Sequence, residues 1–207
     1  MAGTYQQFCA VAAALDVVGD RWTLLVVREL LIGPRRYGEL LAGLPGVATN
    51  LLADRLRKLE AAGLVAQEPD GRARLYRLTE RGAELDGVVG ALARFGIGLL
   101  PAEADGLAFR PELLATAVRY LLRPGVPADD LVVRFEVGSS DAVVLRLGPT
   151  GVVVDPRAVP DVVLAGDPAA LVALLRDPAS AAAGRVTVTG DRARLARALG
   201  SVDVAHP

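Results

Sequence analysis

The sequence predicts an α+β protein with two domains, and three observations support this class. The chain has 207 residues, which is more than one domain of average size needs. Apolar residues recur at helical spacing as far as Leu100, whereas alternating patterns typical of strands appear after Pro111. The stretch 101–111 between them contains two prolines and a glycine, a composition typical of linkers. We therefore predict one domain at 1–100 and a second at 112–207.

The composition is that of a globular protein without a polycationic surface. Hydrophobic residues make up 52% and charged residues 23%, and the formal net charge is −1, so a disordered chain is excluded and a site for a polyanion has to be local. With one cysteine, Cys9, and one histidine, His206, the chain can form neither an internal disulfide nor a structural zinc site. We find no signal peptide and no long apolar run, and expect a cytoplasmic protein without a membrane span, cofactor or metal.

Local signals in the first half predict helices followed by a hairpin. Four helices are predicted, spanning residues 8–18, 21–32, 37–44 and 48–62. Two strands, Leu64–Glu68 and Arg72–Leu78, enclose the turn Pro69–Gly71, and Thr79 opens a last long helix. This order predicts a winged helix-turn-helix, in which one helix enters the DNA major groove and the hairpin reaches the flanking backbone.

The fourth helix has an apolar side and a polar side. At about 100° per residue, one side carries the residues expected to pack on the core: Ala48, Leu52, Leu56 and Leu59. The opposite side and the N-terminal tip carry the predicted DNA-binding residues: Thr49, Asn50, Ala53, Asp54, Arg57 and Lys58. Asn50 can bond adenine and Arg57 guanine, whereas Thr49 can contact a phosphate or a thymine methyl. Arg55 lies near the core edge, where we expect an internal ion pair.

Basic residues are concentrated around these elements. Residues 20–81 contain eleven basic and eight acidic side chains, whereas residues 101–207 contain eleven and thirteen. Arg36 precedes the third helix, and Arg72 and Arg74 flank the wing tip, where phosphate contacts would orient bound double-stranded DNA. The alternatives are that these arginines are simply solvated, or that the winged helix contacts only other proteins. Element order, polar helix face and basic wing together favour DNA binding.

A series of residues across the first half matches a known pattern. They are Cys9, Leu15, Gly19, Trp22, Leu30, Gly33, Arg36, Tyr37, Glu39, Leu40, Gly46, Val47, Leu52, Arg55, Leu56, Leu59, Glu60, Gly63, Leu64, Val65, Tyr76, Leu78, Thr79 and Gly82. With them the chain resembles the HxlR-type branch of the MarR-like winged helix-turn-helix transcriptional regulators. The resemblance implies a homodimer that binds a pseudo-palindromic operator.

The chain departs from this pattern in the region expected to contact DNA. Ala48 stands where the family usually has serine at a helix-capping position, so capping would pass to Thr49 or be lost. Arg74 and Leu75 replace the valine and acidic residue often found before the wing tyrosine. These departures leave the operator sequence open.

Apolar residues in the last helix of the first half form a heptad seam. They are Leu85, Val88, Leu92, Phe95 and Leu99. Five glycines in the same segment would weaken an isolated helix by about 1 kcal/mol each, and they are easier to tolerate where another helix packs closely. We expect a dimer interface from this seam together with Phe8, Val11 and Leu15 of the first helix. The alternative is that the seam covers its own domain.

Cys9 permits a second kind of regulator. Some HxlR-type proteins sense oxidants through an N-terminal cysteine, so the resemblance implies a thiol switch as one option. A free cysteine is more often a small buried hydrophobe. The four nearest neighbours of Cys9 in sequence include no cation that would lower the pKa of its thiol. We therefore expect a structural role, with redox sensing as the alternative.

The second half begins with a predicted helix over 112–123. Two alternating patterns, 131–137 and 142–147, then predict an antiparallel hairpin with one apolar face. Further strands and helices are predicted at 151–155, 161–165, 168–175, 185–189 and 191–199. The order helix, four strands, helix, strand, helix predicts a mainly antiparallel sheet with helices on one face.

Two segments of this half, 163–175 and 184–191, contain a strand followed by Gly-Asp. Together with the element order, they resemble the sterol carrier protein 2 (SCP2) fold, in which a sheet and its helices enclose an apolar tunnel. The resemblance implies a small hydrophobic ligand. The expected ligand-binding residues are Phe109, Tyr120, Phe135 and Leu145. A filled core is the alternative.

No group of side chains in the sequence suits catalysis, because His206 is alone and no Gly-rich phosphate loop is present. We therefore expect no enzyme, but a dimeric, sequence-specific DNA-binding transcriptional regulator modulated by a small hydrophobic ligand in its second domain. Two alternatives stay open. One is a thiol-based redox regulator that uses Cys9, and the other is a lipid- or metabolite-binding protein that does not bind DNA.

Overall fold

The computed structural model describes residues 4–71, 73–101, 103, 107–121, 130–138, 141–149, 151–177 and 184–198. The chain divides into two compact units, Met1–Val89 and Gly90–Pro207. This division falls before the linker predicted from the sequence, and the predicted domain bounds stay a prediction. Arg72, expected at the wing tip, lies outside the described residues.

Four helices open the first unit, as the sequence predicts. They are α1 (Ala10–Val18), α2 (Thr23–Ile32), α3 (Tyr37–Gly43) and α4 (Thr49–Ala61). Their ends differ from the predicted ones by at most two residues. Helix α2 contacts both α3 and α4, and the buried side chains Val26, Leu40 and Leu52 belong to these three helices. Gly63 directly follows the C-cap residue of α4. Its φ of +69° is a left-handed conformation that glycine adopts without strain.

Three strands form the wing sheet in the order β1-β3-β2, with antiparallel pairing throughout. They are β1 (Arg35–Arg36), β2 (Val65–Asp70) and β3 (Ala73–Leu78). The predicted hairpin is confirmed. The turn is shorter than predicted, because Pro69 belongs to β2 and pairs with Arg74 of β3. Proline is tolerated there since β2 is an edge strand. Strand β1 is not foreseen from the sequence, because two residues are too few to show an alternating pattern.

The long helix predicted after the wing is broken. The structure instead has three short elements: α5 (Glu80–Ala83), α6 (Asp86–Gly96) and a 3-10 turn (Ile97–Leu99). The prediction of one continuous helix is therefore wrong, and Leu85 lies between two helices. Gly82 in α5 is buried so close to the carbonyl of Leu64 that a Cβ atom would overlap it. This contact holds α5 against the segment that leads into β2. The glycines of α6 have low helix propensity and do not favour a longer helix.

The second unit contains the remaining helices and a five-stranded sheet. The elements are α7 (Leu113–Leu121), β4 (Leu131–Val137), β5 (Asp141–Gly148), β6 (Gly151–Val154), β7 (Val162–Gly166), α8 (Pro168–Arg176), β8 (Thr187–Gly190) and α9 (Arg192–Ala198). The strands lie in the order β6-β5-β4-β7-β8. Among the strands that the structure describes, β4 and β7 pair in parallel and the other neighbours pair antiparallel. The predicted element order and the mainly antiparallel sheet are confirmed.

One face of this sheet forms an apolar core with the helices. Alternate residues of β4, including Leu131, Val133 and Phe135, are buried in one cluster with side chains of α7, α8 and α9. The two Gly-Asp segments start helices in the same way. Asp167 accepts a hydrogen bond of 2.8 Å from the amide of Ala170, and Asp191 caps α9 through the amide of Arg194 in the same manner. Within the described ranges, every helix is too short or too polar to cross a membrane.

Candidate nucleic-acid interface

Helix α4 presents a polar side opposite its core contacts. Leu52, Leu56 and Leu59 are at most 1% exposed and determine which side is buried. The residues expected to bind DNA on this helix are exposed or half-buried: Thr49, Asn50, Ala53, Asp54, Arg57 and Lys58. Ala48 was expected on the core side, but it is exposed because it precedes the first turn of α4.

The start of α4 is held by a contact that the sequence did not reveal. Ala48 stands at the N-cap position and makes no side-chain cap hydrogen bond. The hydroxyl of Tyr37 instead donates a hydrogen bond of 2.7 Å to the carbonyl oxygen of Thr49. This bond joins the first residue of α3 to the first residue of α4. The tyrosine belongs to the family pattern, but a side-chain bond to a backbone carbonyl has no periodic signature in the sequence.

Arg55 lies in a network of ion pairs at the side of α4. Its Nη1 atom is 2.6 Å from Oδ2 of Asp20 and 3.0 Å from Oδ2 of Asp54. The Arg55 side chain is 13% exposed, and the expected internal ion pair is confirmed. The N-cap residue of α2 is Trp22, which has no side-chain cap bond, and the carboxylate of Asp20 just before it pairs with Arg55. The network therefore links the segment between α1 and α2 to α4.

Two basic residues of α4 remain accessible beside this network. Nη2 of Arg57 lies 3.3 Å from Oδ1 of Asp54, and the Arg57 side chain is 72% exposed. Nζ of Lys58 lies 3.5 Å from Oδ2 of Asp20 and 3.6 Å from Oδ2 of Asp54. Exposed ion pairs of this kind are weak. Arg57 and Lys58 can therefore exchange these partners for a phosphate or a base.

The wing carries exposed arginines that are restrained by neighbours. Nη2 of Arg36 lies 2.6 Å from Oδ2 of Asp70, and Nη1 of Arg74 donates a hydrogen bond of 3.1 Å to the side-chain oxygen of Gln67. Both arginines are exposed. Burial raises the pKa of the Tyr76 hydroxyl on β3 above its ordinary value. The wing thus presents cationic groups whose positions are limited by contacts within the chain.

The residues expected at a dimer interface expose large apolar side chains. The exposed ones are Phe8, Val11, Leu15, Val88, Leu92, Phe95 and Leu99. Leu85, between α5 and α6, is half-buried. Phe95 is 73% exposed and Leu99 is 72% exposed. Exposed apolar side chains of this size, where they cluster, are typical of regions that contact another molecule.

Cys9 is an exposed free thiol at the N-cap position of α1. The backbone amides of Ala12 and Val11 lower the pKa of this thiol. Burial, the usual state of a free cysteine, does not hold for this residue. The pKa of the thiol is lowered by the helix backbone and not by a neighbouring cation. The residues next to Cys9 in sequence therefore do not reveal the effect.

The expected ligand-binding residues of the second unit lie in or beside its core. Phe135 is 1% exposed and Leu145 is 0% exposed. Phe109 is half-buried and packs against the same cluster. Tyr120 is half-buried on α7, and its ring lies so close to Gly90 that a Cβ atom there would overlap it. The structure therefore brings three of the four residues together around one apolar cluster.

The geometry of the first unit defines a class of protein. Its helices, a short wing sheet and an accessible polar side on the fourth helix make it a winged helix-turn-helix. The sequence profile of the HxlR-like helix-turn-helix family matches residues 17–104. The chain belongs to this family of DNA-binding transcriptional regulators.

Individual proteins are similar to part of the chain. An uncharacterized HTH-type transcriptional regulator of Synechocystis sp. is 38% identical over 99 residues, which are 46% of this chain and 73% of the relative. Another of Mycobacterium bovis is 41% identical over 95 residues, which are 44% of this chain and 60% of the relative. Among solved structures, the redox regulator HypR in its oxidized form is similar with 31% identity and a TM-score of 0.41, over 42% of this chain and 94% of HypR.

Proposed function

We propose that the protein is a homodimeric regulator that binds double-stranded operator DNA in the cytoplasm and recognises its sequence through α4. The observation that carries this proposal is the accessible polar side of α4, opposite three buried leucines. Asn50 and Arg57 are seven positions apart and therefore about two helical turns apart on this side. An amide suits the major-groove edge of adenine and a guanidinium that of guanine.

Basic residues around α4 would hold the backbone of the DNA. Lys58 and Arg74 are exposed, as is Arg36 at the root of the wing. Such residues fix the orientation of a duplex without reading its sequence. Their present partners are acidic or amide side chains at the surface, and these pairs are weak enough to be exchanged for phosphates. Arg72 has the same expected role on sequence grounds.

The exposed apolar side chains of α1 and α6 support dimerisation. Phe95 of α6 and Leu99 of the 3-10 turn after it are largely exposed, which is unfavourable for apolar side chains unless another surface covers them. A second copy of the chain is the partner that the family implies. Operator binding by a dimer would require two α4 helices about 34 Å apart, the distance that matches successive major grooves on one side of a duplex.

We also propose that the second domain, 112–207, is SCP2-like and binds a small hydrophobic ligand. The order helix, four strands, helix, strand, helix supports this resemblance. Phe109, Phe135 and Leu145 share one apolar cluster. A ligand would have to bind against this cluster or partly open it. A ligand changes operator affinity only if it binds the DNA-bound and free forms with different affinity. Titration of hydrophobic metabolites into the protein–operator complex should therefore shift the operator Kd.

A thiol-based redox regulator is a second candidate, which the environment of Cys9 favours. The thiol is exposed and its pKa is lowered by the amides at the start of α1, so more of it is present as the reactive thiolate. Oxidation would change operator affinity in the unmodified protein but not in Cys9→Ser. Equal responses of the two proteins would exclude this candidate.

DNA binding is tested by selecting random-sequence duplexes on the full-length protein. We expect enrichment of a pseudo-palindromic sequence. The observed association constant should fall linearly with salt on a log–log plot, with a slope set by the number of phosphate contacts. A protein that enriches no sequence and shows no salt-dependent binding would contradict the proposal. It would favour the remaining candidate, a lipid- or metabolite-binding protein without DNA binding.

A further inference from the structure

We propose that Asp54 selects the sequence that α4 binds, by accepting a hydrogen bond from the amino group of a cytosine after Arg57 has moved away. The inference rests on the proposed DNA-binding function and concerns how the same helix discriminates among sequences. A carboxylate in the middle of a DNA-facing surface repels phosphates, so it lowers affinity for DNA in general. Such a carboxylate can improve discrimination between DNA sequences if the correct sequence offsets this unfavourable charge and other sequences do not.

The two carboxylate oxygens of Asp54 have different partners. Oδ2 faces Nη1 of Arg55 at 3.0 Å and Nζ of Lys58 at 3.6 Å. Oδ1 faces Nη2 of Arg57 at 3.3 Å. The carboxylate is thus bound on one oxygen to a network inside the protein and on the other to a residue of the DNA-facing side.

These partners differ in how easily they can leave. Arg55 is 13% exposed and is shared with Asp20, whose Oδ2 lies 2.6 Å from the same Nη1 atom. Arg57 is 72% exposed, and its distance of 3.3 Å to Asp54 is longer than that of a strong charge-assisted hydrogen bond. When DNA approaches, Arg57 can exchange Oδ1 for guanine or a phosphate while Arg55 keeps Oδ2 in place.

The vacated oxygen then has a specific chemical requirement. An ionised carboxylate can only accept hydrogen bonds. In the major groove, guanine presents only acceptors, and thymine presents an acceptor and a methyl group. Cytosine presents its N4 amino group as a donor, whereas adenine presents its N6 amino group beside the acceptor N7, which repels a carboxylate. A cytosine opposite Asp54 satisfies Oδ1, while guanine or thymine leaves a negative charge facing acceptors. Because Arg57 suits guanine, the pair Asp54 and Arg57 fits a site rich in G·C pairs.

The experiment compares the full-length protein with Asp54→Asn in two assays. Random-sequence duplexes are selected on each protein, and fluorescence anisotropy then measures affinity for the duplex enriched by the wild type and for a scrambled duplex of equal composition. Asparagine removes the charge and suits adenine instead of cytosine. We expect the wild type to require cytosine at one position of each half-site, and Asp54→Asn to lose this requirement. The ratio of the two affinities should fall about tenfold in the variant.

Part of this change should come from tighter binding of the scrambled duplex. Arg57 is released towards a phosphate in Asp54→Asn, whereas Lys58 keeps its contact with Asp20. The log–log salt slope should therefore steepen by about 0.9, the value of one phosphate contact. Asp54→Glu keeps the charge and should keep the weak wild-type binding of the scrambled duplex. Asp141→Asn, the same substitution at an exposed position of the second unit, controls for net charge and should leave the ratio unchanged.

Thermal melts establish that each variant is folded at the assay temperature, and Asp54→Ser replaces the asparagine variant if that one is not. An unchanged affinity ratio with the same cytosine requirement in a folded uncharged variant would overturn the inference and leave the proposed function intact. A wild-type protein that enriches no sequence would instead overturn the proposed function together with the inference. The two failures are therefore distinguishable.

Discussion

The guanidinium of Arg55 lies 2.6 Å from the carboxylate of Asp20, and this ion pair joins α4 to the segment between α1 and α2. Two positions further along α4, Arg57 is 72% exposed and has only a 3.3 Å contact with Asp54. Two arginines of one helix therefore have different environments. The first links two segments of the fold, and the second is accessible and is the one that we propose contacts DNA.

Substitution of Arg55 by methionine should destabilise the protein. It removes the nearer shared partner of the Asp20 and Asp54 carboxylates and leaves them the longer contacts with Lys58. Because these carboxylates are about one third exposed, we expect a loss of about 1 to 3 kcal/mol. Chemical denaturation followed by circular dichroism measures the free energy of unfolding. Arg57→Met is the matched control, with an expected change below about 0.5 kcal/mol. Equal losses in the two variants would contradict the division of roles.

Removal of the Tyr37 hydroxyl should loosen the start of α4. Tyr37→Phe deletes the 2.7 Å hydrogen bond to the carbonyl of Thr49 and keeps the ring, so the expected loss in free energy of unfolding is about 0.5 to 1.5 kcal/mol. Because α4 begins at Thr49, affinity for operator DNA should fall as well. Tyr5→Phe, at an exposed position outside the helices, should change neither quantity. A Tyr37→Phe protein as stable as the wild type would show that this hydrogen bond does not contribute to the free energy of unfolding.

A charge on the exposed apolar side of α6 should prevent dimerisation. Phe95 is 73% exposed and has the properties of an aromatic anchor in an interface. Phe95→Glu should raise the Kd of dimerisation at least about thirtyfold, which corresponds to the 2 kcal/mol or more that such anchors contribute. Sedimentation velocity over a range of concentrations measures this constant.

The control for this experiment is Val159→Glu, which adds the same charge at a position that is 85% exposed and outside α1 and α6. We expect this variant to remain dimeric. Two equally dimeric variants would show that α6 is not the interface, and a monomeric wild type would contradict dimerisation itself.

The thiol of Cys9 should ionise at lower pH in the folded protein than in the unfolded chain. The amides of Ala12 and Val11 stabilise the thiolate, so the folded state favours the deprotonated form. This stabilisation is fully present above the pKa of the unfolded chain and is lost as pH falls through the lower pKa of the folded one. Ultraviolet absorbance of the thiolate during a pH titration measures both values, with Cys9→Ser subtracted as the background. A folded pKa equal to or above the unfolded one would contradict the structure.

The sequence predicts most of the fold because periodicity reports directly on burial. The 3.6-residue pattern of Leu52, Leu56 and Leu59 identifies the buried side of α4, and thereby also the polar side opposite it. The alternating pattern of β4 identifies the core side of the second sheet for the same reason. These local patterns do not report contacts between residues that are distant in sequence.

The differences between prediction and structure come from such contacts. The predicted long helix breaks after α5, where Gly82 packs against the carbonyl of Leu64. Asp20 pairs with Arg55 across 35 positions of sequence, although its local position suggests a helix cap. The exposure of Cys9 depends equally on which surfaces the rest of the chain leaves uncovered. Local pattern thus predicts elements and faces, but not the partners of individual polar groups.

Recognition of DNA sequence by α4 is the central claim, and fluorescence anisotropy with the enriched and scrambled duplexes tests it most directly. Asn50→Ala and Arg57→Ala remove groups expected to contact bases, whereas Arg74→Ala removes a group expected to contact phosphate. The claim predicts that the first two lower affinity for the enriched duplex by about 5- to 150-fold, corresponding to 1 to 3 kcal/mol, and reduce discrimination. Arg74→Ala should weaken both duplexes alike and reduce the salt slope by about one contact. Full discrimination in the Asn50→Ala and Arg57→Ala proteins would contradict the claim.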